Sequence, residues 1–267
     1  MGRPQGESPG GDLSFSGVGR SNAIMGPMKK LGIIGGMGPA ATARLFGRIV
    51  EFTTVSTDQE HIDVTILSDP GVPDRTGYLL GRAGAVDFVP VLQRKAAALR
   101  DLGCEVVAVP CNTSHARLDA IASVAPELTF VPMPDETARF AAAVGCTRPL
   151  ILATDGTLAC EIFQTAAERA GIQCAVPAAD VQPQVMEVIY DYVKAGRPAP
   201  AALVQGLIAH ARALGADGVI LGCTELSTLG LSARCDGLPV IDALDVLAWR
   251  SVIACEAPAH DLLADFA

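Results

Sequence analysis

Arg100-Asp-Leu-Gly-Cys-Glu-Val-Val-Ala-Val-Pro-Cys111 lies over Arg212-Ala-Leu-Gly-Ala-Asp-Gly-Val-Ile-Leu-Gly-Cys223 without a gap, at a constant offset of 112. Leu102 falls on Leu214, Gly103 on Gly215, Glu105 on Asp217 and Val107 on Val219. Each stretch reads as the end of a helix, a glycine turn, a short apolar strand and a cysteine at the strand tip. Any two β-α units resemble each other a little. Twelve ungapped positions that both end in Cys point further, to an internal duplication.

The flanks repeat as well. Each half opens with a strand and a glycine-containing turn, Leu31–Gly38 and Leu150–Gly156. Each closes alike, Val131-Pro-Met-Pro-Asp135 over Ile241-Asp-Ala-Leu-Asp245. Between these marks, short apolar runs alternate with segments of helical spacing. The runs are 31–34, 62–67, 106–109, 129–131, 150–153, 173–176, 219–221 and 239–241. The helical segments include 40–53, 89–102, 161–170 and 201–214. This alternation predicts an α/β protein with parallel sheets covered on both faces. The duplication predicts two similar lobes related by a pseudo-two-fold axis, with the active site in the cleft between them, at the carboxyl ends of the strands. Residues 28–135 form the first lobe in this reading and 136–243 the second. The last helix, from 244 onward to 267, returns to the first lobe, and 136–143 makes the reciprocal crossing. Residues 1–27 hold seven Gly and three Pro with almost no apolar periodicity. They read as a flexible tail or a non-native extension.

Composition narrows the function classes. Of the 267 residues 50% are hydrophobic and 18% charged, so a core can form and wholesale disorder is excluded. No apolar run reaches the length of a membrane span, and no membrane partner is expected. The net charge of −9, with only 20 Lys and Arg, argues against a nucleic-acid binder. Eight cysteines are too sparse for a disulfide scaffold, and none forms a C-x-x-C pair. His61, His115, His210 and His260 are scattered, so no metal site is expected. The absence of a secretory apolar segment at the start leads us to expect a cytoplasmic protein.

Cys111 and Cys223 carry the chemistry. Each stands where a buried strand gives way to a helix start, a place whose dipole and free N–H groups favour thiolate. A lone cysteine is often only a small core residue, but two at equivalent tips would face each other across the cleft. Two proton-transfer groups on opposite sides of a bound carbon are what racemisation needs. A redox pair is the competing reading, although redox cysteines are commonly close in sequence. Cys104, Cys146, Cys160, Cys174, Cys235 and Cys255 lack this context and read as structural.

Six stretches resemble the aspartate/glutamate racemase family, and within it the cofactor-independent aspartate racemases. They are Ile34-Gly-Gly-Met-Gly-Pro39, Pro73-Asp-Arg-Thr76, Pro110-Cys-Asn-Thr113, Ala153-Thr-Asp-Gly-Thr157, Ile189-Tyr-Asp-Tyr-Val-Lys-Ala-Gly196 and Leu221-Gly-Cys-Thr-Glu225. The resemblance implies racemisation of an acidic amino acid without pyridoxal phosphate or metal, often by a homodimer, with Cys111 and Cys223 as the two bases. It also implies that Arg75 binds the distal carboxylate, aided by Lys194. A planar guanidinium suits that task. Turn N–H groups around Met37 and Gly38 suit a substrate carboxylate. The rival reading of Gly36-x-Gly38-x-x-Ala41 as a dinucleotide fingerprint lacks its acidic partner and leaves the cysteines unexplained. Asn112, Thr113, Thr154, Thr157 and Thr224 are small polar groups at strand tips, able to hold the α-carboxylate or ammonium, or simply to cap helices. Glu225 would take the ammonium or orient Cys223. His115 falls four residues after Cys111 and reads equally as a tuner of the thiol or as a packed side chain. Glutamate or broad-specificity racemases, maleate isomerase-like enzymes, malonate decarboxylases and a non-catalytic dicarboxylate binder are the alternatives.

Overall fold

The computed structural model describes residues 28–266, and the reading of 1–27 as a tail lies outside them. The first lobe runs β1 (Leu31–Gly35), α1 (Pro39–Phe52), β2 (Val64–Ser68), α2 (Arg75–Leu79), α3 (Val89–Asp101), β3 (Val106–Ala108), α4 (Leu118–Ala122) and β4 (Thr129–Phe130). α5 (Met133–Ala143) leads into β5 (Leu150–Leu152), α6 (Asp155–Ala159), α7 (Ile162–Arg169) and α8 (Gln182–Met186). A π-helical stretch, Glu187–Val193, extends α8. Then come α9 (Ala201–Ala213), β6 (Val219–Leu221), β7 (Arg234–Cys235), β8 (Leu238–Asp242) and α10 (Ala243–Ala254).

Each lobe has one four-stranded sheet, in the orders β2-β1-β3-β4 and β5-β6-β8-β7. β1, β3, β5 and β6 are buried along their whole length. This is why they read as continuous apolar runs rather than alternating ones, as parallel strands covered on both faces do. Two features depart from the sequence expectation. The run 173–176 does not form a strand. It makes a single parallel bridge, Leu150↔Ala175, on the flank of β5 where β2 flanks β1. Pro177 follows at once and has no N–H for a ladder. The second sheet is also not wholly parallel, because β7 pairs antiparallel with β8. The two-residue turn Asp236-Gly237, with both φ angles positive, makes this hairpin.

Apolar side chains form three layers. One covers the outer face of the first sheet, with Phe88, Leu92 and Leu99 from α3 against Ile34 and Val107. Another covers the outer face of the second, with Val185, Val188, Ile189 and Leu207 against Leu152 and Val219. The middle layer belongs to both lobes. It joins Leu31, Ile33 and Val106 of the first sheet to Ile151, Ile220 and Ile241 of the second, through Phe140 of α5, Phe163 of α7 and Trp249 of α10. α10 buries Leu244, Val246, Leu247, Trp249 and Val252, and is apolar around most of its circumference, as suits a helix between two layers. It packs on α1, α5 and β3, while α5 packs on α7. Among the described residues no helix is long and apolar enough to cross a membrane.

The lobes touch closely where α2 meets α6. A Cβ on Gly156 would lie 2.9 Å from Thr76 Cα and 3.1 Å from its hydroxyl. Gly156→Ala is therefore expected to lower unfolding free energy by about 1–3 kcal/mol, the usual cost of overpacking. Gly206→Ala, in exposed α9 with nothing within 4 Å, is expected to raise it by about 0.5–1 kcal/mol. Urea melts of the two variants against the parent chain measure both.

Candidate active site

Cys111 follows β3 after Val109-Pro110, and Cys223 follows β6 after Gly222. Both thiols are free and both line one small, nearly closed cavity of about 10 Å³ between the lobes. Their loops are anchored in parallel ways. His115 Nε2 accepts the N–H of Met133, the first residue of α5, at 3.3 Å. Its Nδ1 therefore carries the proton and donates to the Cys111 carbonyl at 2.9 Å. Ser227, four residues past Cys223, donates at 2.6 Å to Asp242, whose carboxylate caps α10 through the Leu244 N–H. Burial and neighbouring Asp245 push the Asp242 carboxyl up to about 6. So each cysteine loop is pinned to the helix that crosses to the other lobe.

The Pro-Asp-Arg-Thr stretch folds as a helix start. Asp74 caps α2 by accepting the Gly77 N–H at 2.7 Å, which turns Arg75 inward at the first helical position. Arg75 is only 9% exposed. It donates to the carbonyls of Val72, Pro73 and Met37 at 3.2, 3.0 and 3.3 Å, and its Nε has no partner. Burial disfavours this cation. The Cys111 thiol beside it, with Asp74 and Glu225, outweighs that and holds its pKa above the ordinary value. Buried positive charge held by neutral carbonyls is a setting that calls for an anion.

On the other lobe, the Lys194 ammonium meets Glu225 Oε1 at 2.5 Å, and the Cys223 thiol donates to Glu225 Oε2 at 2.9 Å. Burial works against the Lys194 charge as well, but Glu225 and both thiols raise its pKa overall. Burial first, then the Glu225 carboxylate, pushes the Cys223 thiol well above its usual value.

Asn112 is 2% exposed, lines the cavity, and has no partner for either its amide oxygen or its nitrogen. Four threonine hydroxyls close the floor. Thr113 lies 3.1 Å from Thr154 and 2.9 Å from Thr157, those two are 3.1 Å apart, and Thr76 donates to Thr154 at 3.3 Å. Thr154 also caps α6 by accepting the Thr157 N–H. Thr224 donates to the Pro110 carbonyl across the cleft at 3.3 Å. Met37, Arg75, Asn112, Thr113, Thr154, Lys194, Thr224 and Glu225 thus join the two cysteines around the cavity. Thr157 sits behind them, wholly buried, and Gly38 lines the adjoining cleft at the start of α1.

Asp74, Thr76 and Tyr190 line the cavity too and escaped the sequence reading. Tyr190 had a signal: it precedes Lys194 by four residues on one helical face, and its hydroxyl donates to Asp74 at 3.3 Å. Among the described residues no group of three or more His, Cys, Asp and Glu is placed to hold a metal.

Burial lowers the His115 pKa, so the native imidazole stays neutral while the unfolded one takes up a proton near its ordinary value. Its share of stability is complete above that value and is lost as pH falls through it. Urea melts between pH 7.5 and 5 should show a steeper acid-side loss in the parent chain than in His115→Gln.

Residues 34–251 match the family model described as Asp/Glu/Hydantoin racemase. Three solved structures share the fold at low identity. An aspartate racemase from Picrophilus torridus is 24% identical, with a TM-score of 0.73 over 89% of this chain and 99% of that one. An aspartate racemase homologue from Pyrococcus horikoshii OT3 is 24% identical, with a TM-score of 0.67 over 86% and 100%. A glutamate racemase from Bacillus anthracis is 17% identical, with a TM-score of 0.57 over 89% and 86%.

Proposed function

Because the chain belongs to the Asp/Glu/hydantoin racemase family, we propose that it racemises an acidic amino acid, aspartate before glutamate, with Cys111 and Cys223 as its two bases and without pyridoxal phosphate. One observation supports this most. Two free cysteines, at duplicated strand tips in different lobes, line one small cavity together with buried Arg75.

The side-chain carboxylate of the substrate pairs with Arg75, whose spare Nε–H and in-plane fork suit a bidentate contact. The amide of Asn112 offers both a donor and an acceptor to the α-carboxylate and ammonium, with Thr113 and Thr224 alongside. The thiolate of one cysteine then takes the α-proton. The Cα–H bond breaks, an S–H bond forms, and the electron pair spreads into the α-carboxylate. The other thiol gives its proton to the opposite face, so the sulfurs end with their protonation exchanged. Donors fixed around the carboxylate lower the barrier because they bind the carbanion-like state better than the amino acid.

Two predictions follow from these roles. Arg75→Leu should cost about 2–5 kcal/mol in transition-state binding for a dicarboxylate, read from kcat/KM, and little for alanine as substrate. Equal losses for both would assign Arg75 to the α-carboxylate or the fold. In deuterated water, Cys111→Ala and Cys223→Ala should each lose net racemisation, yet each should still exchange the α-hydrogen of one enantiomer, and the two enantiomers must be opposite. If either variant racemises near the parent rate, or both exchange the same enantiomer, the two-base reading fails.

A further inference from the structure

The two thiols are not electrostatic equals. Cys223 donates its proton to a carboxylate, Glu225 Oε2 at 2.9 Å, in a place where both residues are nearly sealed from water, at 6% and 5% exposed. The second oxygen of the same carboxylate is taken by Lys194. An ammonium at that distance keeps a carboxylate ionised. An ionised carboxylate can only accept, so the hydrogen of this contact must come from sulfur. Cys111 has the opposite surroundings. It lies beside the Arg75 guanidinium, and its backbone bonds to Val109, Ser114 and His115. A cation beside a sulfur favours thiolate, and an anion favours thiol.

We infer that Glu225 is a positioning residue that fixes the resting proton on Cys223, so that the free protein waits with Cys223 as the acid. This rests on the racemase reading above and adds a direction to it. The charged and titratable groups that share the cavity with Cys223 are Glu225 on its own loop, Lys194 and Tyr190 from the stretch that extends α8, and, from the first lobe, Cys111, Arg75 and Asp74. Lys194 then acts through Glu225: it holds the carboxylate in place, and Arg75 is left as the cation facing an incoming anion. The enantiomer whose α-hydrogen points away from Cys223 meets a ready acid on that face. Its mirror image needs Cys223 as a thiolate beside Glu225. Enantiomers have equal free energy, so kcat/KM must be equal in both directions. The asymmetry is therefore read from the thiols and not from that ratio.

The test needs no substrate. Thiolate absorbance in the ultraviolet is followed against pH in Cys111→Ser, which leaves Cys223 as the cavity thiol, with and without Glu225→Gln. The remaining cysteines cancel in the difference. Glu225→Gln should move the Cys223 midpoint down by about one pH unit or more, which at neutral pH is about tenfold more thiolate. In the parent chain, iodoacetamide should modify Cys111 ahead of Cys223, with the sites mapped by mass spectrometry. Lys194→Met is the second variant, needed if Glu225→Gln does not fold, and it should move the midpoint the other way, upward. An unchanged midpoint in Glu225→Gln, a downward move in Lys194→Met, or Cys223 modified first overturns the assignment. Because this readout is independent of turnover, a failure here leaves the two-base exchange experiment to stand or fall by itself.

Discussion

The apolar layer shared by the two lobes is the constraint on which the rest of the structure depends. Ile33 and Val106 on one side and Ile151 and Ile220 on the other reach a common core through α5, α7 and α10. Burial on this scale, at roughly 25 cal/mol per Å² of apolar surface, ties the lobes into one folding unit rather than two beads on a linker. The strand tips that carry Cys111 and Cys223 then have fixed positions relative to one another. The anchoring of the two loops extends the same logic to the sulfurs. His115 hangs the Cys111 loop on α5, and Ser227 hangs the Cys223 loop on the cap of α10. Each loop is thus referenced to the helix that crosses between lobes.

The side chains around this cavity are largely buried, and burial decides its electrostatics. Arg75, Lys194 and Glu225 would be unfavourable singly at such burial. They persist because each is bound to something. Carbonyls of the loop and of Met37 hold Arg75, while Lys194 and Glu225 hold each other. The thiols have different neighbours, Cys223 a carboxylate and Cys111 a guanidinium. Low dielectric strengthens every such difference. The amide of Asn112, with both polar atoms unpartnered in the cavity, is costly unless a ligand meets it, which is how a site stores recognition for its substrate.

The sequence by itself determined the elements and their duplication. Arg100–Cys111 over Arg212–Cys223, the buried apolar runs and the glycine turns are local patterns, and local patterns are set by backbone geometry and side-chain period. They sufficed for two α/β lobes with a cysteine at each matching strand tip, whereas the inward turn of Arg75 at a helix start capped by Asp74 was left to the structure. Only the tertiary structure decided who meets whom. It gave Lys194 to Glu225, put Thr157 behind Thr113 and Thr154, brought Tyr190 and Thr76 into the cavity, and reduced the run 173–176 to one bridge beside Pro177. These are contacts between residues tens of positions apart in the chain, or the loss of one at a sheet edge. They follow from how two lobes close on a shared core, and the periodicity of a single segment contains no term for that.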